Sequence, residues 1–379
     1  MSVHVLIGTA KGAVFLSAEA DRAHWRSSGL QLRGWWVTAF TRDAGGRCYA
    51  GVTHDVYGSV VMASDDLEHW EQLPAAPRYG PDERGNESHL RIIGAMDPMG
   101  QWKAGGRYVD QIWRLHADGD ALYAGVSEAG LFRSDDRGKS WQPVAGLNDH
   151  ESRDRWVAGF GGLCAHSVLT DAKRGRIWVG ISAAGVFRSD DGGATFAPRN
   201  DGVNSADEGF CVHSLAHDPA QPDVIIRRDH RGMYRSDDAG DSWRVIENGL
   251  PVAELADGHR CCFGFACQLD PGSGSLFTVP LESDGFRYPK DAELAVYRSR
   301  NGEMDGVELT QEVNAKYLAA AALAEAIAQD LESQAGNSHP MPVTDMLAES
   351  TRIRARLHAI KDLTGIPARS LNRRAAPAQ

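Results

Sequence analysis

Two short phrases hold the side chains best suited to chemistry: Cys164-Ala165-His166 and Cys211-Val212-His213. Each sets a thiol and an imidazole two residues apart. On an extended strand that spacing puts both on one face. Two such phrases on neighbouring strands would offer two sulfurs and two nitrogens, a ligand set that zinc and softer metals favour. The alternative is packing: repeats duplicate residues, a small thiol fills space between sheets, and a histidine bonds the next strand. Packing is the stronger reading, so no metal and no cofactor is expected; Cys164, His166, Cys211 and His213 are the candidates should a metal bind. A second group lies in segments between apolar runs: Glu128, Asp229, His230 and, in a longer stretch, Glu282, Arg287 and Tyr288. With His166 and His213 these form the candidate binding set for a small polar or sugar-like ligand; the other reading is a solvated acidic rim. No catalytic residue is assigned.

The elements that must position these side chains are announced by a recurring phrase, Ser-Asp-Asp-x-Gly-x-Ser/Thr followed by Trp or Phe. It occurs as SDDRGKSW (Ser134, Asp135, Gly138, Trp141), SDDGGATF (Ser189, Asp190, Gly193, Phe196) and SDDAGDSW (Ser236, Asp237, Gly240, Trp243). SDDLEHW (Ser64, Asp65, Trp70) and SAEADRAHW from Ser17 are looser copies, and SRNGEMDG from Ser299 is a worn one. An apolar run such as GLFRS, GVFRS or GMYRS precedes each full copy, and a short run such as WQPV or WRVI follows. The phrase therefore reads as a hairpin turn. Asp and Ser bond the local backbone, Gly takes the positive φ, and the aromatic returns to the packed layer. These aspartates are expected to be structural.

The first serines stand at 17, 64, 134, 189, 236 and 299, in steps of 47, 70, 55, 47 and 63 residues. A four-stranded propeller blade takes roughly 40–50 residues, so the longer steps carry insertions, the largest at 74–111. Within a step the runs repeat: LCAHSVLT, RIWVGIS, GVFRS, TFAPR, then FCVHSLAH, DVIIRRD, GMYRS, SWRVI. The expected fold is all-β, a six- to seven-bladed β-propeller over residues 1–305. The chain opens at a second-strand position, VHVLIGT, so the first blade lacks its inner strand, and the seventh blade is missing. Residues 306–379 read instead as a short α-helical segment, with helices at about 309–334 and 344–363.

The net charge of −11 lies wholly in residues 1–305. An acidic propeller is a poor partner for a phosphate backbone, so no nucleic acid is expected. No stretch is apolar enough to span a membrane, and MSVHVLIGT leads straight into a strand without a secretory pattern. Six cysteines without small-scaffold spacing suit a reducing compartment, and a cytoplasmic location is expected.

The recurring phrase resembles the Asp-box, or BNR repeat, which family members use as a structural turn on the outer part of a propeller blade. Beyond it, YAGVSEAGLFRSDDRGKSW, GLNDHESR, GGLCAHS, IWVGISAAGVFRSDD, CVHSLAHDP, DHRGMYRSDDAGDSW and VPLESDGFRYP resemble a bacterial sialidase-like branch of the WD40-YVTN-BNR-like repeats. That branch is often labelled glycosyl hydrolase on repeat content. The resemblance covers residues 1 to about 300 and implies a propeller. A sialidase would also carry an Arg-Ile-Pro motif near its start; the nearest match here is Arg91-Ile92-Ile93, displaced and without proline. The expected function is therefore a ligand-binding or assembly scaffold without sialidase catalysis, its partner a small polar or sugar-like ligand or a protein. The alternative is a glycoside hydrolase acting on a glycan at the central mouth.

Overall fold

The computed structural model describes residues 2–54, 56–79, 107, 109–158, 162–204, 210–218, 220–254, 258, 260–283 and 295–299. The expected helices at 309–334 and 344–363, most of the 74–111 insertion, Arg287, Tyr288 and the worn copy beyond Ser299 lie outside these residues. So does the proposed boundary at 305.

The chain is an all-β propeller built of consecutive antiparallel sheets. Blade I holds β1 (Val3–Thr9), β2 (Gly12–Ala18) and β3 (Arg26–Gln31). Blade II holds β4 (Trp36–Arg42), β5 (Cys48–His54), β6 (Gly58–Ser64) and β7 (Glu71–Gln72). Blade III comprises β8 (Gln111–Asp118), β9 (Ala121–Ser127), β10 (Gly130–Ser134) and β11 (Gln142–Pro143); blade IV comprises β12 (Cys164–Asp171), β13 (Arg176–Ser182), β14 (Gly185–Ser189) and β15 (Ala197–Pro198). A single rung, Cys164 opposite Ser127, ties blade IV to blade III. Blade V holds β16 (Val212–Asp218), β17 (Gln221–Asp229), β18 (Gly232–Ser236) and β19 (Arg244–Val245). The ribbon β20 (Ala253–Glu254) with β21 (Arg260–Cys261) follows, then blade VI, with β22 (Cys267–Leu269), β23 (Leu276–Thr278) and β24 (Tyr297–Ser299). Helix is confined, among the described residues, to α1 (Ala145–Asn148) and one 3-10 turn (Arg153–Arg155).

The core lies between blades, not within them. Tyr49 and Val61 of blade II pack with Ile112, Leu122 and Phe132 of blade III; Leu131 packs with Val168, Ile177 and Phe187 of blade IV. Trp178 and Val186 pack with Val212, Ile225 and Tyr234 of blade V, and Ile226 and Met233 with Cys262, Leu269 and Leu276. Inner and middle strands are thus covered on both faces, so runs such as ALYAGVS and RIWVGIS are continuously apolar rather than alternating. Blade I follows a different rule. Among the described residues no strand pairs with the free edge of β1, and Val5 and Ile7 there are each 42% exposed.

In blades II to V the recurring phrase joins the third and fourth strands. Ser134, Ser189 and Ser236 donate to the second aspartate of the pair, Asp136, Asp191 and Asp238, each over 2.7 Å. The same Oγ accepts the N–H of Gly138, Gly193 and Gly240 at 2.7–2.8 Å. The second aspartate then takes the N–H and hydroxyl of Ser140, Thr195 or Ser242. These bonds favour the charged form, so hydrogen bonds from Ser140 and Thr195 hold Asp136 and Asp191 down at about 2. Gly138 is favoured by its φ of +84°, and a Cβ there would displace the Leu73 Cδ1 methyl, 2.5 Å away. Trp141, Phe196 and Trp243 are buried. Asp135, Asp190 and Asp237, themselves exposed, instead pair with arginines, among them Arg133, Arg176 and Arg235.

Candidate functional site

A β-bulge recurs at the third residue of the inner-strand phrase. Pairing shifts register between Val37 and Ala39, Ile112 and Arg114, Ala165 and Ser167, and Val212 and Ser214. The residues left out are Thr38, Trp113, His166 and His213. A bulge re-aims a side chain and locally breaks the ladder. The simple two-residue alternation expected for the Cys-x-His phrases is therefore interrupted at the histidine itself.

Three of the bulged residues, Trp113, His166 and His213, form a ladder of rings. Trp113 and His166 lie 4.9 Å apart between centroids, and His166 and His213 6.1 Å. His213 also meets His230 at 4.6 Å and Phe265 at 4.7 Å, and Phe263 meets Phe265 at 5.3 Å. Blades III, IV and V and the segment leading into blade VI all contribute. Phe265 is 39% exposed, while His213 is only 9% exposed.

His213 is held at both nitrogens. Its Nδ1 lies 2.8 Å from the Gly264 carbonyl oxygen, a bond only an Nδ1–H can donate, which leaves Nε2 as the lone-pair nitrogen. Nε2 stands 3.6 Å from Cys211 Sγ, which lies 2.8 Å from Ser182 Oγ of blade IV. Cys211, His213 and His230 present ligand atoms that all lie within 4.8 Å of one another. Burial pushes His213 down to about 3 and His166 to about 4, so both are neutral at ordinary pH. The His166 Nε2 is buried without a hydrogen-bond partner. Burial drives the Cys164 thiol well above its usual range.

Behind the ladder lies a group of buried charges. Arg227 pairs with Asp229 at 2.9 Å, both fully buried, and also donates to Asn200 at 2.7 Å. Asp229 further accepts the Arg231 N–H. Arg228 is completely buried and donates to the Phe263 carbonyl at 2.6 Å and to Cys262 Sγ at 3.3 Å. Its Nε and Nη1 have no partner. Glu247 accepts the N–H groups of Met233 and Cys262, and burial raises it to about 7.

Of the candidates read from sequence, the structure brings His166, His213 and His230 together, with Cys211 beside them. Asp229 is adjacent but spent in its ion pair with Arg227. Glu128 sits half-buried in the turn between β9 and β10, where its carbonyl accepts the Tyr79 hydroxyl at 3.1 Å. Glu282 follows Leu281, whose N–H donates to the Phe263 carbonyl. Sequence reasoning did not find Trp113, Phe263, Phe265 or Arg228. Trp113 could have been found, because QIW in blade III occupies the place of CAH and CVH in blades IV and V.

No family profile matches the chain, and no curated protein matches it in sequence. Among solved structures it is similar to a GH74 xyloglucanase from Xanthomonas campestris, with 20% identity and a TM-score of 0.52. That match covers 81% of this chain and 43% of the xyloglucanase, so the chain spans less than half of that enzyme. It is also similar to a protein from Lactobacillus plantarum (13% identity, TM-score 0.48, 82% of each chain). YCF48 from Cyanidioschyzon merolae matches at 12% identity and a TM-score of 0.45, again over 82% of each chain. Likeness at this level concerns architecture: the chain shares the β-propeller fold, and its chemistry must be argued from its own residues.

Proposed function

We propose that this chain is a non-enzymatic binding propeller of the BNR, or Asp-box, type, which seats a small polar, sugar-like ligand on the ring ladder. The observation that carries this reading is the continuity of that ladder. Rings from successive blades touch from Trp113 to Phe265, open at Phe265 and mixed with imidazole nitrogens. Aromatic faces bury the apolar side of such a ligand while nearby polar groups fix its orientation. The experiment is a glycan and small-metabolite binding screen by calorimetry, repeated on Trp113→Ala and Phe265→Ala. Both variants should lose binding while keeping the blade fold. Unchanged affinity in both variants would remove the ladder from the site, and a ligand found among peptides alone would make the chain an assembly scaffold.

The glycosidase reading needs two carboxyl groups about 5–9.5 Å apart. Asp229 is neutralised by Arg227, which leaves Glu128 and Glu282. Glycan cleavage abolished by Glu128→Gln or Glu282→Gln would establish it. We place the protein in the cytoplasm, where the five described cysteines, all thiols, would remain reduced. Among the described residues no helix is long and apolar enough to cross a membrane. Residues 306–379 are proposed as a separate helical segment; loss of helical circular dichroism on deleting them is the test.

A further inference from the structure

We propose that Cys211, His213 and His230 form a three-ligand site for a divalent transition metal, with Zn(II) the fitting ion and a fourth position open to a ligand on the ladder. The inference deepens the binding reading above and rests on it only for that fourth position; the metal site stands on its own geometry.

Zinc is held by thiolate at about 2.3 Å and imidazole at about 2.0–2.1 Å in a tetrahedron. Those lengths place a bound sulfur and nitrogen roughly 3.5 Å apart. Cys211 Sγ and His213 Nε2 are already 3.6 Å apart. His230 brings the third ligand atom within 4.8 Å of both, so metal binding requires its side chain to move inward.

The outer residues also fit. A metal-bound histidine characteristically donates its other ring N–H to a carbonyl or carboxylate, which fixes the tautomer. His213 Nδ1 does this to Gly264 O at 2.8 Å. Ser182 Oγ, 2.8 Å from Cys211 Sγ, can donate its hydroxyl proton to a thiolate. Three protein ligands with one open position is the arrangement of zinc sites that bind a further molecule, whereas structural sites close all four.

Blade IV is the internal control. It has the same phrase, Cys164-Ala165-His166, and His166 even has a buried nitrogen without a partner. Yet in blade IV the last β13–β14 pair, Ile181 with Gly185, encloses Ser182, Ala183 and Ala184, whereas in blade V the shorter turn between the paired Asp229 and Gly232 holds His230 and Arg231. The third ligand therefore exists in blade V and not in blade IV. On binding, the Cys211 thiol gives its proton to solvent and its sulfur lone pair to the metal. Both imidazoles bind as neutral lone-pair donors, and no redox change is involved.

The test uses the full-length protein, stripped with chelator and titrated with Co(II), then Zn(II). One equivalent of Co(II) should give a thiolate-to-cobalt charge-transfer band that Zn(II) abolishes, with about one proton released per metal. Cys211→Ser should erase the band, and His230→Ala should weaken Zn(II) by more than the roughly 10–100-fold carried by supporting outer residues. Cys164→Ser should leave band and affinity unchanged. Sub-stoichiometric binding, a band that survives Cys211→Ser, or one lost in Cys164→Ser would overturn the assignment. Melting curves of each variant identify any that fail to fold, and His230→Ala, altering a half-buried turn residue, serves if Cys211→Ser does. Stoichiometric metal binding together with unchanged ligand affinity in Trp113→Ala and Phe265→Ala would be failure of the ladder reading alone, and ligand binding without stoichiometric metal would be failure of the metal site alone.

Discussion

Blades IV and V share a frame and differ in what it encloses. Both have the Cys-x-His phrase, a bulge at its histidine, and a full recurring turn. In register, blade IV places Val179, Gly180 and Ile181 where blade V places Arg227, Arg228 and Asp229. Gly180 lets the next inner strand come close, since a Cβ there would meet Val212 Cγ1 at 2.6 Å. Arg228 instead thrusts a guanidinium against the Phe263–Gly264 backbone. Asn200 in blade IV caps the Val186 N–H with a neutral amide; Glu247 does the same for Met233 with a carboxyl group. Buried ionisable groups cost stability unless paired, and the repeat demonstrably works without them. These charges stand beside the proposed site in blade V, and the equivalent positions of blade IV carry none.

The sharpest way to break this contrast is to remove one member of the buried pair. Asp229→Ala should cost about 3–5 kcal/mol, because it strands Arg227 without its counter-charge; denaturant unfolding measures it, and a loss near zero would mean the pair is not buried in solution. Next comes the close approach in blade IV. Gly180→Ala should cost about 1–3 kcal/mol through overpacking against Val212, read from the same unfolding curves.

The third test is pH. Glu247 is raised by burial to about 7 from an ordinary value near 4.5. The folded state therefore holds its proton more tightly than the unfolded chain. Its contribution is fully present below pH 4.5 and is lost as pH rises through about 7. Glu247→Gln should flatten the melting temperature across that window, and Asn200→Asp should import the same slope into blade IV. Parallel profiles for wild type and Glu247→Gln would show that Glu247 titrates as an ordinary carboxyl. The smallest effect belongs to the outer turns. Asp135→Ala removes an exposed pair with Arg133 and should change stability by no more than about 0.5 kcal/mol, in keeping with a turn closed by Asp136.

The strand order, the turns and the inner-strand phrases were legible because they repeat. Each recurring turn is a local object, closed by hydrogen bonds within five residues. Even the looser copy at Ser64 follows that rule: Leu67 takes the positive φ of +66°, and the Leu67 N–H bonds Ser64 Oγ at 2.8 Å. His69 Nδ1 then stands where the serine or threonine hydroxyl would be, 2.7 Å from Asp66 Oδ2. The candidate site was legible only in part. His213 could be singled out, but its anchor, Gly264, lies 51 residues onward in a segment with no recurring phrase. Phe263 and Phe265 sit in the same segment, and nothing in their spacing connects them to the histidines.

The amino-acid sequence by itself determined the propeller, the place of its hairpin turns and which blades would carry a thiol beside an imidazole, because these depend on local patterns of a few residues. Tertiary structure decided what surrounds each of the two Cys-x-His phrases. A bulge re-aims His166 and His213 alike, yet only His213 meets His230 from the shorter turn of its own blade and Gly264 from the segment leading into blade VI, contacts set by how whole sheets pack face to face.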